Sequence, residues 1–286
     1  MEKNMLKPNE LLQAGIITAI NKTKSVPIQT LLLGALAGAF IALGGFAAGV
    51  ASHSITNFSL SKFISGAVFP VGLILVLICG AELFTGNSLM ITGLLDKKIE
   101  LKSMLKNWIL VYISNFLGAF IIVILLYFSG SLDLNSGKLG AYAIKVAYHK
   151  SSLSSIKAFS SGILCNILVC LAVWGSYAAK DIIGKIFIIW FPIMAFIVSG
   201  FEHSIANMYY LTIGFLSKSN PVYSKASSLS YNELSKISLP NILHNLTWVT
   251  LGNIVGGALI IGMTYWIIYK NNNKKVISIP NSIKKD

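Results

Sequence analysis

A glutamate stands inside a membrane-length apolar run twice in this chain, each time in the same local pattern. The two stretches are Gly80-Ala81-Glu82-Leu83-Phe84-Thr85-Gly86-Asn87 and Gly200-Phe201-Glu202-His203-Ser204-Ile205-Ala206-Asn207. Gly, Glu and Asn hold matching positions, and a Phe-Pro pair precedes each stretch, Phe69-Pro70 and Phe191-Pro192. An ionisable side chain in hydrocarbon is expensive, so its repetition predicts a duplicated polar site near the bilayer midplane, and with it a transport path.

The apolar runs are those of an integral membrane protein. Hydrophobic residues make up 55% of the chain and charged ones 12%, about half the charged share of a soluble domain. Six segments are long enough to span, roughly 28–51, 63–95, 107–132, 158–179, 186–217 and 237–269. Residues 63–95 as one helix reach about 50 Å, against a hydrocarbon core of about 30 Å. This segment and 186–217 are the overlong ones that hold the glutamates, so helices 2 and 5 are predicted to break within the membrane. The sixth segment is also long, and Pro240 with the polar run to Asn245 puts its expected membrane start near residue 245.

The repeat reaches the helix after each break, where Asn115-Phe116-Leu117-Gly118 is matched by Asn253-Ile254-Val255-Gly256. Two three-helix halves follow, about 28–132 and 158–269. Three crossings reverse direction, so the halves form inverted repeats within an all-α membrane domain over residues 28–269. Residues 1–27 are expected to carry an amphipathic helix at the cytoplasmic surface, with Leu12, Ile16, Ala19 and Ile20 on one face, reading as an interfacial anchor rather than a gate. Residues 270–286 read as a cytoplasmic tail. With both termini inside, fifteen of the 23 lysines fall on the cytoplasmic side.

The net charge of +13 is therefore mostly a topology signal. Nucleic acid is excluded as a partner, because the chain lacks arginine and has no basic stripe interleaved with exposed aromatics. No cleavable signal peptide is expected in Met1 to Thr23. Cys79, Cys165 and Cys170 lie in apolar spans and read as packing residues rather than a disulfide framework. His53, His149, His203 and His244 show no close pairing, so no metal or cofactor is expected.

His203 stands out because it follows Glu202 in the fifth-segment break, and histidine changes charge near neutral pH. It reads as a proton relay, a metal ligand, a hydrogen-bonded core residue or a catalytic base. Glu82 and Glu202 read as braces that accept N–H groups freed by the breaks. Asn87 and Asn207 read as scaffold satisfying loop carbonyls. Lys150, in Tyr148-His149-Lys150-Ser151-Ser152, is by position one more solvated lysine. Phe69 and Phe196, in apolar helices, read as packing aromatics. A membrane-embedded enzyme and a membrane scaffold remain as other classes, the first needing a nucleophile-base pair and the second no central polar groups.

The run Ser199-Gly200-Phe201-Glu202-His203-Ser204-Ile205-Ala206-Asn207-Met208 closely resembles the signature of the formate/nitrite transporter family. Ordered partners support it: Cys79 to Thr85, Gly162 to Trp174, and Gly252-Asn253-Ile254-Val255-Gly256-Gly257. The resemblance covers roughly residues 10–270. It implies a homopentamer in the plasma membrane, each protomer with an aquaporin-like fold and its own pore for formate, nitrite or hydrosulfide. It implies constrictions at Phe69, Leu73, Leu83 and Phe196, with Thr85 in the first break and His203 at the pore centre. It also raises Lys150 to an anion-attracting vestibule lysine and makes Asn166 and Asn253 pore-lining. Formate ranks first among the anions, and a proton delivered through His203 would let a weak acid cross as a neutral molecule.

Overall fold

The computed structural model describes residues 5–276, whose regular structure is helical. Helix α1 (Pro8–Lys24) leads into α2 (Pro27–Ser52), each opened by a proline in its first turn, where no intrahelical N–H bond is lost. α3 (Phe58–Val68) and α4 (Val71–Ile78) form the next descent, with Phe69 and Pro70 between them. Beyond a break at 79–83 come α5 (Phe84–Asn87), a 3-10 turn, and α6 (Ile91–Leu95). The long α7 (Leu101–Phe128) closes the first half.

The second half begins with α8 (Lys138–Ser151), α9 (Ser155–Ala178) and α10 (Ile182–Ser199). After a break at 200–203, α11 (Ser204–Ser217) follows, then the short α12 (Pro221–Ser227) and α13 (Tyr231–Ser235). α14 (Leu239–Ile254) passes through a π-helical stretch, Val255–Met263, into α15 (Thr264–Val276). Six stretches are long and apolar enough to cross a membrane: Pro27–Ser52, Phe58–Ile78, Leu101–Phe128, Ser155–Ala178, Ile182–Ser199 and Leu239–Lys270. The all-α, six-span architecture with breaks in spans 2 and 5 is the one expected.

Each half clamps its first span to its third through glycine faces. Gly38 of α2 lies on the backbone of Asn115, and Gly118 of α7 on that of Ala35; Gly252 lies on Phe159, and Gly256 on Ile163. A Cβ on any of the four would collide with a backbone carbonyl. Close backbone approach is the usual means of helix association in lipid, where apolar burial between helices gains little.

Five expectations change. The glutamates do not sit at the midplane: Glu82 lies beside Gly34, seven residues into α2, and Glu202 beside Gly162, seven residues into α9. Each is thus about 10 Å in from opposite ends of the bundle, by the rise of a helix. The repeats begin earlier than 28 and 158, because α1 and α8 are equivalent lead-in helices. Each ends in a last turn bearing a lysine, Lys22 and Lys150.

The apolar face of α1 rests on protein rather than on a lipid interface: Leu11, Leu12 and Ile16 are buried with Trp174 and Ile261. The sixth span starts at Leu239, not near 245, because Pro240 falls in the first turn, where a helix accepts it. Cys165 and Cys170 are buried, but Cys79 is exposed. Of the predicted tail, residues 277–286 lie outside the described residues.

Candidate functional site

Both breaks are built alike. Gly80 follows α4 and Gly200 follows α10 with left-handed backbone, φ +82° and +71°. The next residue in each bonds back across the helix end, Ala81 N–H to the Val76 carbonyl and Phe201 N–H to the Phe196 carbonyl. The chain then runs extended through Leu83 and His203 before α5 and α11 begin. One asparagine holds each extended segment. Asn115 donates to the carbonyls of Gly34 (2.7 Å) and Glu82 (2.9 Å) and accepts the Phe84 N–H (3.0 Å). Asn253 donates to the carbonyls of Gly162 (2.8 Å) and Glu202 (3.0 Å) and accepts the Ser204 N–H (2.9 Å).

The glutamates are satisfied by the same set of partners. Glu82 accepts from Lys22 (2.6 Å) and from Asn87 (2.7 Å), whose amide also donates to Asn107 Oδ1 (2.8 Å). Glu202 accepts from Lys150 (2.9 Å) and from Asn207 (2.6 Å), whose amide also donates to Asn245 Oδ1 (2.8 Å). A buried carboxylate needs such a set, since desolvation otherwise outweighs its attraction to one cation.

Where the halves meet, the likeness ends. His203 caps α11 by accepting the Ala206 N–H at Nδ1 (3.0 Å), which assigns the ring proton to Nε2. Nε2 then donates to Thr85 Oγ1 (2.8 Å), and both side chains are buried. The Thr85 hydroxyl hydrogen is left to donate elsewhere. Beside His203 lies a void with about 10 Å³ of room for the centre of a water molecule. It is lined by Ile41, Phe69, Leu73, Leu83, Val169, Ile193 and Phe196. Phe69 and Phe196 meet edge to face at 5.6 Å between centroids, and Phe196 is 5.9 Å from the imidazole. A proton-bearing polar pair thus faces an apolar throat too narrow for a hydrated ion.

Phe69, Leu73, Leu83, Phe196 and His203 converge on this one void, with Thr85 bonded to the ring. Lys150 is not a free vestibule cation: it is paired with Glu202, and its ammonium lies 5.4 Å from the Tyr210 ring. Asn166 and Asn253 support backbone instead of lining the void. Asn166 donates to the carbonyls of Thr85 (3.2 Å) and Asn253 (2.6 Å) and to Ser88 Oγ (3.3 Å). Asn87 and Asn207 serve the glutamates rather than loop carbonyls, which Asn115 and Asn253 take.

Lys22, Asn107, Asn115 and Asn245 complete the frame and were not singled out as site residues from sequence. The signal was present as spacing: Lys22 stands twelve residues ahead of Gly34 and Lys150 twelve ahead of Gly162, while Asn107-Asn115 and Asn245-Asn253 are both eight apart.

Comparison with known proteins converges on one group. The model of the formate/nitrite transporter family matches residues 9–267. The formate channel FocA of Escherichia coli (strain K12) is 34% identical over 275 residues, covering 94% of this chain and 96% of that protein. FocA of Haemophilus influenzae is 37% identical over 263 residues, covering 90% and 93%. Among solved structures, a pentameric formate channel with formate bound superposes with a TM-score of 0.77 at 33% identity, covering 85% of this chain and 98% of that one.

Proposed function

Since the chain belongs to the formate/nitrite transporter family, we propose that it is a channel for a small monovalent anion, formate first. The observation that carries this reading is the Thr85–His203 pair sealed against the apolar void. Relatives named as formate channels support formate over nitrite and hydrosulfide. They also favour transport over a membrane-embedded enzyme.

The roles follow from the chemistry. A bare anion pays several kcal/mol or more on entering an apolar throat, so Phe69, Leu73, Leu83 and Phe196 reject charge. The Nε2–H of His203 and the hydroxyl of Thr85 supply hydrogen bonds at that point; a proton that the ring passes to the anion is replaced from water in the same step, since its loss alone would leave an imidazolate, and the N-terminal end of α11 favours negative charge there. A weak-acid anion that takes up one proton becomes neutral and crosses cheaply. Glu82, Asn87, Glu202 and Asn207, with Lys150, Asn166 and Asn253, hold the backbone that presents these groups. The relative described as pentameric supports a homopentamer, and exposed apolar residues along α7, such as Ile109, Ile113 and Leu117, suit lipid or a neighbouring protomer. Lysine placement supports a plasma-membrane orientation with both termini cytoplasmic.

Flux of formate, nitrite and hydrosulfide into liposomes, measured across pH, tests the reading. Formate is expected to move fastest and more quickly as pH falls, and His203→Phe to abolish that dependence. Unchanged flux and pH response in His203→Phe would remove the histidine from the mechanism.

A further inference from the structure

The end of the bundle where Lys150 pairs with Glu202, the mouth on the α8 side, holds more positive charge than its ion pair uses. Lys62, on α3, is half-buried and makes no salt bridge or side-chain hydrogen bond among the described residues. Its ammonium lies 3.5 Å from where a Cβ would stand on Gly200, the left-handed residue closing α10 and two residues ahead of Glu202. The centroid of the Phe58 ring is 5.7 Å from the same ammonium. Lys62 feels both Lys150 and Glu202 across the mouth.

Lys62, Lys150 and Lys157 also act on His149, with Glu202 the one acid in that set. Burial first, and Lys150 next, lower the His149 pKa, and an imidazole, neutral or cationic, is no counter-charge to Lys62.

The duplicated frame accounts for Lys150 but not for Lys62. Lys150 is spent on Glu202 as Lys22 is spent on Glu82, one pair for each break. Lys62 stands eighteen residues ahead of Gly80, and the residue eighteen ahead of Gly200 is Ile182. A half-buried ammonium that lies outside the frame carries a desolvation cost, with no salt-bridge or hydrogen-bond partner among the described residues to offset it.

We propose that Lys62 is the anion-collecting residue of this mouth, binding the incoming small carboxylate or similar monovalent anion beside Gly200, while the Lys150–Glu202 pair holds the break. This rests on the anion-channel reading. Capture here raises local anion concentration at the entrance to the throat without touching the Thr85–His203 step.

The test is formate uptake by liposomes carrying wild-type, Lys62→Gln or Lys62→Arg protein, over a concentration series at low and high KCl. Lys62→Gln is expected to raise the half-saturating concentration about fivefold at low salt, with the difference shrinking at high salt. Its maximal rate stays within about twofold, and Lys62→Arg restores the wild-type curve because it restores charge. Coincident curves for Lys62→Gln and wild type at low salt overturn the proposal. So does a Lys62→Arg curve as impaired as that of Lys62→Gln, which marks a packing role. Wild-type liposomes that pass no anion overturn the channel reading itself, and the proposal with it, a result distinct from the other two.

Discussion

Leu83 and His203 occupy one position in two copies of the same backbone. Leu83 precedes α5 with φ −110°, ψ 124°, and His203 precedes α11 with φ −111°, ψ 118°. Around each stand the same glycine bend, the same glutamate with its lysine and asparagine, and the same asparagine clamp. The side chains differ in kind at the capping position and at the two that follow it, Leu83-Phe84-Thr85 against His203-Ser204-Ile205. The first break contributes an apolar wall to the void and the second a proton-bearing ring. A duplicated frame therefore fixes geometry on both sides, and in the proposed channel the positions that differ, Thr85 in the first break and His203 in the second, carry the chemistry.

The largest effect that tests this likeness is loss of a glutamate. Glu202→Gln leaves Lys150 buried without counter-charge and is expected to cost about 4 kcal/mol of stability. Glu82→Gln is expected to cost about 2 kcal/mol, because the Lys22–Glu82 side chains are 20% and 13% exposed against 12% and 4% for Lys150–Glu202. Thermal unfolding in detergent orders the two, and a larger loss at Glu82 breaks the comparison.

Next come the asparagine clamps. Asn115→Ala and Asn253→Ala each remove three hydrogen bonds, at about 3 kcal/mol apiece. Equal unfolding shifts sharpen the equivalence of the breaks, and a twofold difference argues against it.

His203→Leu gives the second break the capping residue of the first. Formate flux is expected to fall about 100-fold, the scale of a lost proton donor, while stability drops by about 1 kcal/mol from the missing cap. Retained flux in liposomes would mean that the asymmetry at this position is not what carries transport. Thr85→Val keeps the shape but removes the bond to Nε2. A roughly tenfold slower flux is expected, equivalent to about 1.4 kcal/mol, and a flux equal to wild type would detach Thr85 from the ring's function.

Much of this frame was legible in the sequence because the membrane makes polar residues conspicuous. Glu82 and Glu202 stood out against apolar neighbours, and the overlong segments announced their breaks. Their partners were harder to see. Lys22 is sixty residues from Glu82, and Lys150 is fifty-two from Glu202; each sits on a lead-in helix whose lysine reads as an ordinary surface charge. The burial of Asn166 and Asn253 was not readable either, because an asparagine facing a pore and one holding a carbonyl look the same in a string of letters. Depth was misjudged for a related reason: spacing gives the order of elements along a path, whereas the bonds to Gly34 and Gly162 are what place each glutamate near its own end of the bundle.

In a channel of the kind proposed, the edge-to-face pair of Phe69 and Phe196 sets the tempo of passage through the throat. The space beside His203 admits about one water molecule, whereas a carboxylate of three heavy atoms needs more. Each transit has to wait for two aromatic rings to swing aside and close again. Throughput is then clocked by rotamer exchange in a packed interior rather than by diffusion along an open tube, and it acquires the steep temperature coefficient of that exchange.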